Sequence, residues 1–192
     1  MPYVLMSFLF AFTLVGCGGP STDASTGPAA VTDRTTYPEG PYGSTEGSVV
    51  KNHEMTNSDG EPYSLMANIF SDESTTLLLV STGAEWCSAC IEEQPILDAF
   101  YNEYKADGLR IIEVIFEDIN FEPADSENAL NWKTSNNVSY DVVADPEFTF
   151  EIYQDRSLTP LVMLIEVNTM TILKMSSGFD ETLFDALVRS KI

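Results

Sequence analysis

Two cysteines separated by two residues are the side chains best suited to chemistry in this sequence. They are Cys87 and Cys90, in the stretch WCSAC, and the apolar spacing that follows predicts a helix beginning at Cys87 or Ser88. A cysteine in the first turn of a helix faces unpaired backbone N–H groups and the positive end of the helix dipole, and both favour the thiolate. We therefore predict that Cys87 is a nucleophile toward disulfides and that Cys90, shielded one turn further on, resolves the mixed disulfide.

Other roles for the pair stay open at this point. A zinc site needs two further soft ligands, but the lipidation expected at Cys17 (see below) leaves only His53 and no second cysteine pair, so we predict no metal site. A purely structural disulfide across so small a loop restricts the unfolded chain little. A peroxidatic cysteine would follow the pattern P-x-x-x-T-x-x-C, whereas residues 81–86 read STGAEW.

The first residues are typical of an export signal. An apolar run over residues 3–15, interrupted by Ser7 and Thr13, has signal-peptide length and ends at LVGC, which is similar to a bacterial lipobox. We expect residues 1–16 to be a lipoprotein signal peptide and Cys17 to carry lipid; an ordinary cleaved signal, or a buried strand with a chance cysteine, is the alternative. The residue after Cys17 is Gly18 and not aspartate. By resemblance to the lipoproteins of Gram-negative bacteria, this favours the outer membrane over the inner membrane in a Gram-negative source. Export would place Cys87 and Cys90 where disulfides persist.

Composition separates a tether from a domain. Residues 18–43 are rich in Ser, Thr, Gly, Pro and Ala without hydrophobic periodicity, so we expect residues 17–45 to be the lipidated cysteine and a disordered tether before a domain over residues 46–192. The chain has 30 acidic and 9 basic residues, a net charge of −21. Phosphates repel such a polyanion, so nucleic acid and anionic lipid surfaces are not expected partners.

Buried strands alternating with helices predict a three-layer α/β fold around a mixed sheet. A hairpin over residues 53–57 and 61–64, around the turn SDG, comes first. Further strands are predicted at residues 75–82, 109–116, 140–144, 161–167 and 170–175, and helices at residues 65–70, 87–105, 125–133, 147–153 and 180–189. In the helix at 125–133 we expect Asp125 or Ser126 as N-cap and Leu130 as the main apolar anchor.

The stretch AEWCSAC, directly after a buried strand, resembles the active site of the thioredoxin superfamily. Pro95 matches the helix-kinking proline of that superfamily, and Thr159-Pro160 matches its cis-proline. The N-terminal hairpin, an inserted helix and strand over residues 125–145, and the pattern C-x-x-E-x-P in CIEEQP resemble the TlpA/ResA-like branch, of AhpC/TSA-Redoxin type. Members of that branch are membrane-anchored extracytoplasmic reductases, some of them in cytochrome c maturation. The resemblance covers residues 46–192.

The resemblance implies roles for four further residues. Glu93 would tune the pKa of the pair or relay a proton, unless it is an exposed helix acid. Pro160 would be cis, which leaves the Thr159 backbone to pair with an extended substrate. Trp86 would shield the site and contact partners, unless it is a core residue.

The sequence also departs from the superfamily pattern. Ser81 stands where cytoplasmic thioredoxins have a buried acid, and Gly83 stands where an aromatic residue is usual, which predicts more room above the pair. The dipeptide between the cysteines has no histidine to stabilise a thiolate, and the acidic neighbours Glu85, Glu92 and Glu93 raise the free energy of a thiolate. Groups that stabilise the thiolate make stronger oxidants, so their lack favours a reductase.

These observations predict a membrane-anchored, monomeric thiol–disulfide oxidoreductase on the periplasmic side. It would reduce disulfides of exported proteins, such as apocytochrome c, with electrons from a membrane thiol donor and no cofactor beyond the Cys87–Cys90 disulfide. One alternative is a copper-handling module like the SCO proteins, although these have C-x-x-x-C spacing and a late histidine, whereas His53 is early. Another is a non-enzymatic acidic surface lipoprotein in which the pair is vestigial.

Overall fold

The computed structural model describes Met1, residues 34–153 and residues 156–192. The predicted lipidation site at Cys17, the signal peptide after Met1 and most of the predicted tether lie outside these residues. Within the described part of the chain, no helix is both long enough and apolar enough to cross a bilayer.

A mixed sheet forms the centre of the described fold. Its seven strands are β1 (Glu54–Asn57), β2 (Pro62–Ser64), β3 (Leu77–Ala84), β4 (Leu109–Glu117), β5 (Asp141–Ala144), β6 (Leu161–Glu166) and β7 (Thr171–Ser177). Their order across the sheet is β2-β1-β5-β4-β3-β6-β7. Strands β3, β4 and β5 are parallel, and the pairs at both sides of them are antiparallel. The predicted hairpin and mixed sheet are confirmed.

Helices cover the sheet. The α-helices are α1 (Ser88–Tyr104), α2 (Ser126–Ser135) and α3 (Glu181–Arg189); Leu65–Phe70 is a π-helix, and Lys105–Asp107, Thr149–Tyr153 and Arg156–Leu158 are 3₁₀ turns. Because the crossovers β3-α1-β4 and β4-α2-β5 advance in the same direction, right-handed connections place α1 and α2 on one face. Trp132 Nε1 of α2 accordingly donates to Gln94 Oε1 of α1 at 2.9 Å. On the opposite face Phe148 packs on Phe116 of β4, with ring centroids 4.0 Å apart. The three-layer α/β fold is as predicted.

Helix α2 differs from its prediction in the residue that anchors it. Asp125 is the N-cap, as expected, and forms a reciprocal capping box with Asn128. Leu130, however, is 43% exposed, whereas Ala129 and Trp132 are buried. The prediction of Leu130 as anchor is wrong because the helix turns its indole inward, where Trp132 Nε1 reaches the buried Gln94.

The predicted tether is too long at its C-terminal end, because part of it packs on the domain. Arg34 Nη1 donates to the carbonyl oxygens of Asp72 at 2.6 Å and Thr75 at 2.7 Å. The Tyr37 ring packs edge-on against Phe70, and its hydroxyl donates to the carbonyl of Val50. Anchors spaced this far apart leave no periodic signal in a Pro- and Gly-rich segment, so the boundary at residue 46 was placed too late.

Candidate active site

The nucleophile position is set by the junction of β3 and α1. Cys87 is the N-cap of α1 with extended backbone, and its Sγ accepts the Cys90 N–H at 3.1 Å, where a serine or aspartate oxygen normally lies. The Ile91 N–H donates to the Cys87 carbonyl at 3.2 Å, which closes the first turn. Cys87 Sγ therefore lies at the positive end of the helix, as the sequence predicted.

A disulfide joins Cys87 to Cys90, with their Cα atoms 5.3 Å apart. Cys87 is 5% exposed and Cys90 is 1% exposed, whereas the intervening Ser88 and Ala89 are exposed. Both cysteines are buried, and Cys90 is the more shielded of the two.

Thr82 of β3 links the pair to the predicted cis-proline. Its carbonyl oxygen lies 3.9 Å from Cys90 Sγ, within reach of the S–H that this sulfur carries when reduced. Its hydroxyl accepts the Leu161 N–H at 3.0 Å, at the start of β6. The Thr159–Pro160 peptide bond is cis, as predicted. The segment before β6 is therefore brought to the same end of β3 as the pair.

Trp86 lies between the core and an exposed apolar surface. Its ring stacks on Phe121 with centroids 5.4 Å apart, and its Nε1 donates to Glu117 Oε2 at 3.0 Å. Phe121 is 66% exposed, and Ile119 beside it is also exposed. We call Trp86, Ile119 and Phe121 the apolar rim. Trp86 is half-buried and not part of the fully buried core.

Glu93 is held beneath the C-terminal segment. Its Oε1 accepts the Phe179 N–H at 2.9 Å, and its buried Oε2 makes no hydrogen bond with the described residues. Burial raises the pKa of Glu93, and the Phe179 hydrogen bond offsets part of that rise. A Cβ on Gly178, which has φ +83°, would lie 3.1 Å from Glu93 Oε1. The alternative of an exposed helix acid is therefore wrong.

Sequence reasoning missed Glu113, a fully buried acid next to this site. Glu113 pairs in register with Ser81, is 0% exposed, and neither carboxyl oxygen makes a hydrogen bond of normal geometry. Burial raises its pKa from 4.5 to about 8; nearby Ser81 and Gln94 lower it only partly, and Glu93 adds to the rise. The one acid in the apolar strand LRIIEVIF was the available signal.

The space that Gly83 opens is occupied. A Cβ built on Gly83 would lie 2.5 Å from Glu113 Oε1 and 3.4 Å from the Trp132 ring. The prediction of more room above the pair is therefore wrong, because Glu113 and Trp132 fill the volume that a larger residue at position 83 would take.

Gln94, which the sequence did not single out, joins the Cys90 turn to the neighbouring elements. Its Nε2 donates to the Cys90 carbonyl at 2.8 Å. Its Oε1 accepts from Trp132 Nε1 at 2.9 Å and from the Tyr140 hydroxyl at 2.7 Å. A buried amide with these three hydrogen bonds holds the second turn of α1 in place.

The His53 imidazole forms hydrogen bonds with residues of the Thr149–Tyr153 turn. Its Nδ1 lies 2.8 Å from Thr149 Oγ1 and its Nε2 lies 3.0 Å from the Tyr153 hydroxyl. Burial lowers the pKa of His53 from 6.5 to about 4, and Lys51 adds to this. Among the described residues, no group of three or more His, Cys, Asp or Glu side chains is placed to hold a metal ion.

Comparison with solved structures places this architecture in the thioredoxin class of folds. A thiol-disulfide oxidoreductase from Bacteroides fragilis is 22% identical, with 73% of this chain and 97% of that chain covered and a TM-score of 0.58. The thioredoxin domain of a Bacteroides vulgatus thiol-disulfide oxidoreductase is 18% identical, with 77% and 99% covered and a TM-score of 0.59. A secreted Mycobacterium tuberculosis disulfide oxidoreductase is 11% identical, with 72% and 95% covered and a TM-score of 0.53.

The family follows from the sequence itself. Residues 47–153, more than half of the chain, match the model of the AhpC/TSA family. The chain belongs to the AhpC/TSA family. No curated protein sequence matches it significantly.

Proposed function

We propose that this chain is a membrane-anchored thiol–disulfide oxidoreductase that reduces disulfides of exported proteins through Cys87 and Cys90. The observation that carries the proposal is the Cys87–Cys90 disulfide at the start of α1, where the Cys90 N–H donates to Cys87 Sγ. That hydrogen bond and the helix dipole stabilise negative charge on Cys87 Sγ once the disulfide is reduced.

The proposed reaction is a two-step exchange. The Cys87 thiolate attacks one sulfur of the substrate disulfide, so that a mixed disulfide forms and the other substrate sulfur leaves as a thiolate. The Cys90 thiol then loses its proton and attacks Cys87 Sγ, which restores the Cys87–Cys90 disulfide and releases the second substrate sulfur. The enzyme pair is oxidised by two electrons and the substrate is reduced by two. A thiol donor at the membrane reverses these steps to regenerate the dithiol.

Net reduction is favoured by the acids near the pair. Glu93 lies in the second turn of α1 and Glu85 lies two residues before Cys87, and an ionised carboxylate this near raises the free energy of a thiolate on Cys87. A less stabilised thiolate makes the dithiol a better reductant. The exposed Ser88-Ala89 dipeptide supplies no histidine to oppose this effect.

The surface around the pair fits a polypeptide substrate. The apolar rim offers exposed aromatic and aliphatic area beside Cys87. The Thr159 backbone, next to Pro160, would pair with an extended substrate segment. The net charge of −21 favours neutral or basic protein partners over nucleic acid. Apocytochrome c, as a disulfide-bearing exported chain, belongs to the proposed substrate class.

The proposed location rests on the sequence. LVGC before residue 18 supports lipidation of Cys17 and attachment at the periplasmic side, with outer-membrane placement in a Gram-negative cell. The similar Mycobacterium tuberculosis protein is a secreted one, which is compatible with an extracytoplasmic site. We propose that the chain works as a monomer.

The proposal is tested by insulin reduction with dithiothreitol as the donor. The purified chain should accelerate insulin precipitation, and Cys87→Ser should abolish that acceleration. Cys17→Ser is the matched control, because it makes the same change at a cysteine outside the proposed site and should keep full activity. Full activity of Cys87→Ser would end the assignment.

The direction of the reaction requires a second measurement, the equilibrium reduction potential in glutathione buffers. We expect a potential below about −200 mV, nearer the roughly −270 mV of thioredoxin than the roughly −120 mV of the oxidant DsbA. A value near the oxidant's would make the protein a disulfide donor while leaving the exchange chemistry intact.

A further inference from the structure

Glu113 is a buried acid for which the packing alone gives no reason. It lies in the middle of β4 with neither oxygen in a normal hydrogen bond, and the Ser81 hydroxyl on the paired strand is equally without one. Burying an acid whose oxygens lack well-aligned hydrogen bonds costs free energy even when the acid is neutral, and the nearby Ser81 and Gln94 offset that cost only in part. Natural proteins rarely keep a residue with such a free-energy cost unless it serves a function.

The elements packed around Glu113 are those that carry the cysteine pair. Ser81 and Gly83 face it from β3, on either side of the residue whose carbonyl lies 3.9 Å from Cys90 Sγ. Gln94, bonded to the Cys90 carbonyl, lies beside it from α1. The titratable groups that interact with it are Glu93 of α1 and Tyr140, which precedes β5; α2 presents the Trp132 ring. Among the described residues, no Lys, Arg or His is one of the groups that shift the pKa of Glu113.

The chemistry of a buried dithiol creates a demand for a proton at this position. When a thiol donor attacks Cys87 Sγ, the electron pair of the broken S–S bond goes to Cys90 Sγ. Cys90 is 1% exposed, so a thiolate there is poorly solvated and must acquire a proton. Glu93 is less suited to supply it, because its Oε1 is already held by the Phe179 N–H and its side chain is partly open to solvent.

We propose that Glu113 stores the proton that Cys90 takes up when the Cys87–Cys90 disulfide is reduced, and takes it back when Cys90 resolves a mixed disulfide. This inference rests on the proposed function. In the reductive step the donor thiolate forms a bond to Cys87 Sγ, the S–S bond breaks, Cys90 Sγ gains the electron pair and the Glu113 proton, and a carboxylate remains. In the oxidative step the Glu113 carboxylate accepts the Cys90 proton as Cys90 Sγ attacks Cys87 Sγ. Glu113 is thus a proton-relay residue.

The test is the pH profile of disulfide reduction in the purified chain. Reduction by dithiothreitol is followed by the change in tryptophan fluorescence between pH 6 and 10, and each rate is divided by the concentration of donor thiolate. In the wild type, the rate per donor thiolate should be constant at low pH and then fall about tenfold or more. The midpoint of this fall should lie near pH 8, where Glu113 loses its proton. Glu113→Gln should be at least about tenfold slower at pH 6.5 and show no such fall.

Matched variants separate a proton relay from packing. Glu92→Gln makes the same change at an exposed acid of α1 and should keep the wild-type profile. Glu113→Asp retains a carboxyl group and should retain a fall with a shifted midpoint. Ser81→Asp combined with Glu113→Gln returns an acid to the paired strand and should restore a pH-dependent fall; a merely structural role of Glu113 predicts no such restoration.

The inference is overturned if Glu113→Gln keeps the wild-type rates and the fall near pH 8. If that variant does not fold, as judged by circular dichroism, Glu113→Asp decides: an unchanged midpoint overturns the inference and a shifted one supports it. A wild-type chain whose disulfide fails to exchange with any thiol would instead refute the proposed function.

Discussion

Replacing Glu113 by glutamine should change how the stability of the fold depends on pH. The pKa of Glu113 is raised from 4.5 to about 8, so between these values the folded state holds a proton that the unfolded chain has released. The free energy of unfolding therefore falls as pH rises through this window. At about 1.4 kcal/mol per pKa unit, and with one state half-protonated at each end of the window, the carboxyl lowers stability by about 4 kcal/mol at pH 8 relative to pH 4.5. This is a large part of the roughly 5–15 kcal/mol that a domain usually has.

Urea unfolding at pH 5, 6.5 and 8 provides the assay. The stability of Glu113→Gln minus that of wild type should grow by about 1.4 kcal/mol per pH unit across the window. Other titrating groups, such as His53, are present in both proteins and cancel in the difference. Glu92→Gln should run parallel to wild type. Parallel curves for Glu113→Gln as well would refute the reasoning, because they would mean that Glu113 has the same pKa folded and unfolded.

Three further predictions concern stability. In urea unfolding, Gly178→Ala should destabilise the fold more than Gly47→Ala. Both glycines have positive φ, which costs an alanine about 1 kcal/mol, but only at Gly178 would the new Cβ meet a side chain, Glu93 Oε1 at 3.1 Å. Equal losses of stability would contradict this prediction. Acidification from pH 6.5 to 4 should lower the free energy of unfolding by about 3 kcal/mol through His53. The folded pKa of His53 is lowered to about 4, so over this range the unfolded chain binds a proton that the folded state does not. A His53→Asn variant that loses as much stability would disprove this prediction. Asp125→Ala should cost about 1 kcal/mol by loss of the α2 cap, and an unchanged urea midpoint would argue against the cap.

The sequence predicted the elements whose signals are local. The apolar run that became β4 and the start of α1 at the cysteine pair were both predicted within a residue or two. The cis peptide at Pro160 followed from the resemblance, and the structure has it. Period, capping and turn chemistry lie within a few neighbouring residues, so they can be identified without knowledge of the fold.

The features that were missed depend on contacts between distant segments. The environment that buries Glu113 forms only when β3 pairs with β4 and when α1 and α2 pack over these strands. The anchor of α2 was assigned to Leu130 because leucine is the more usual core residue, whereas the hydrogen bond from Trp132 to Gln94 sets the rotation of the helix. The anchoring of Arg34 likewise depends on carbonyl groups far along the chain. Each of these outcomes is decided by tertiary packing.

Trapping of the mixed disulfide tests the central claim, exchange at Cys87, most directly. The purified Cys90→Ser chain, incubated with a disulfide-bonded protein, should accumulate a covalent complex through Cys87 that reducing agent dissolves, and Cys87→Ser should form none. Mass spectrometry of the linked peptides identifies the attached cysteine. Equal trapping by both variants, or linkage only through Cys17, would contradict the account.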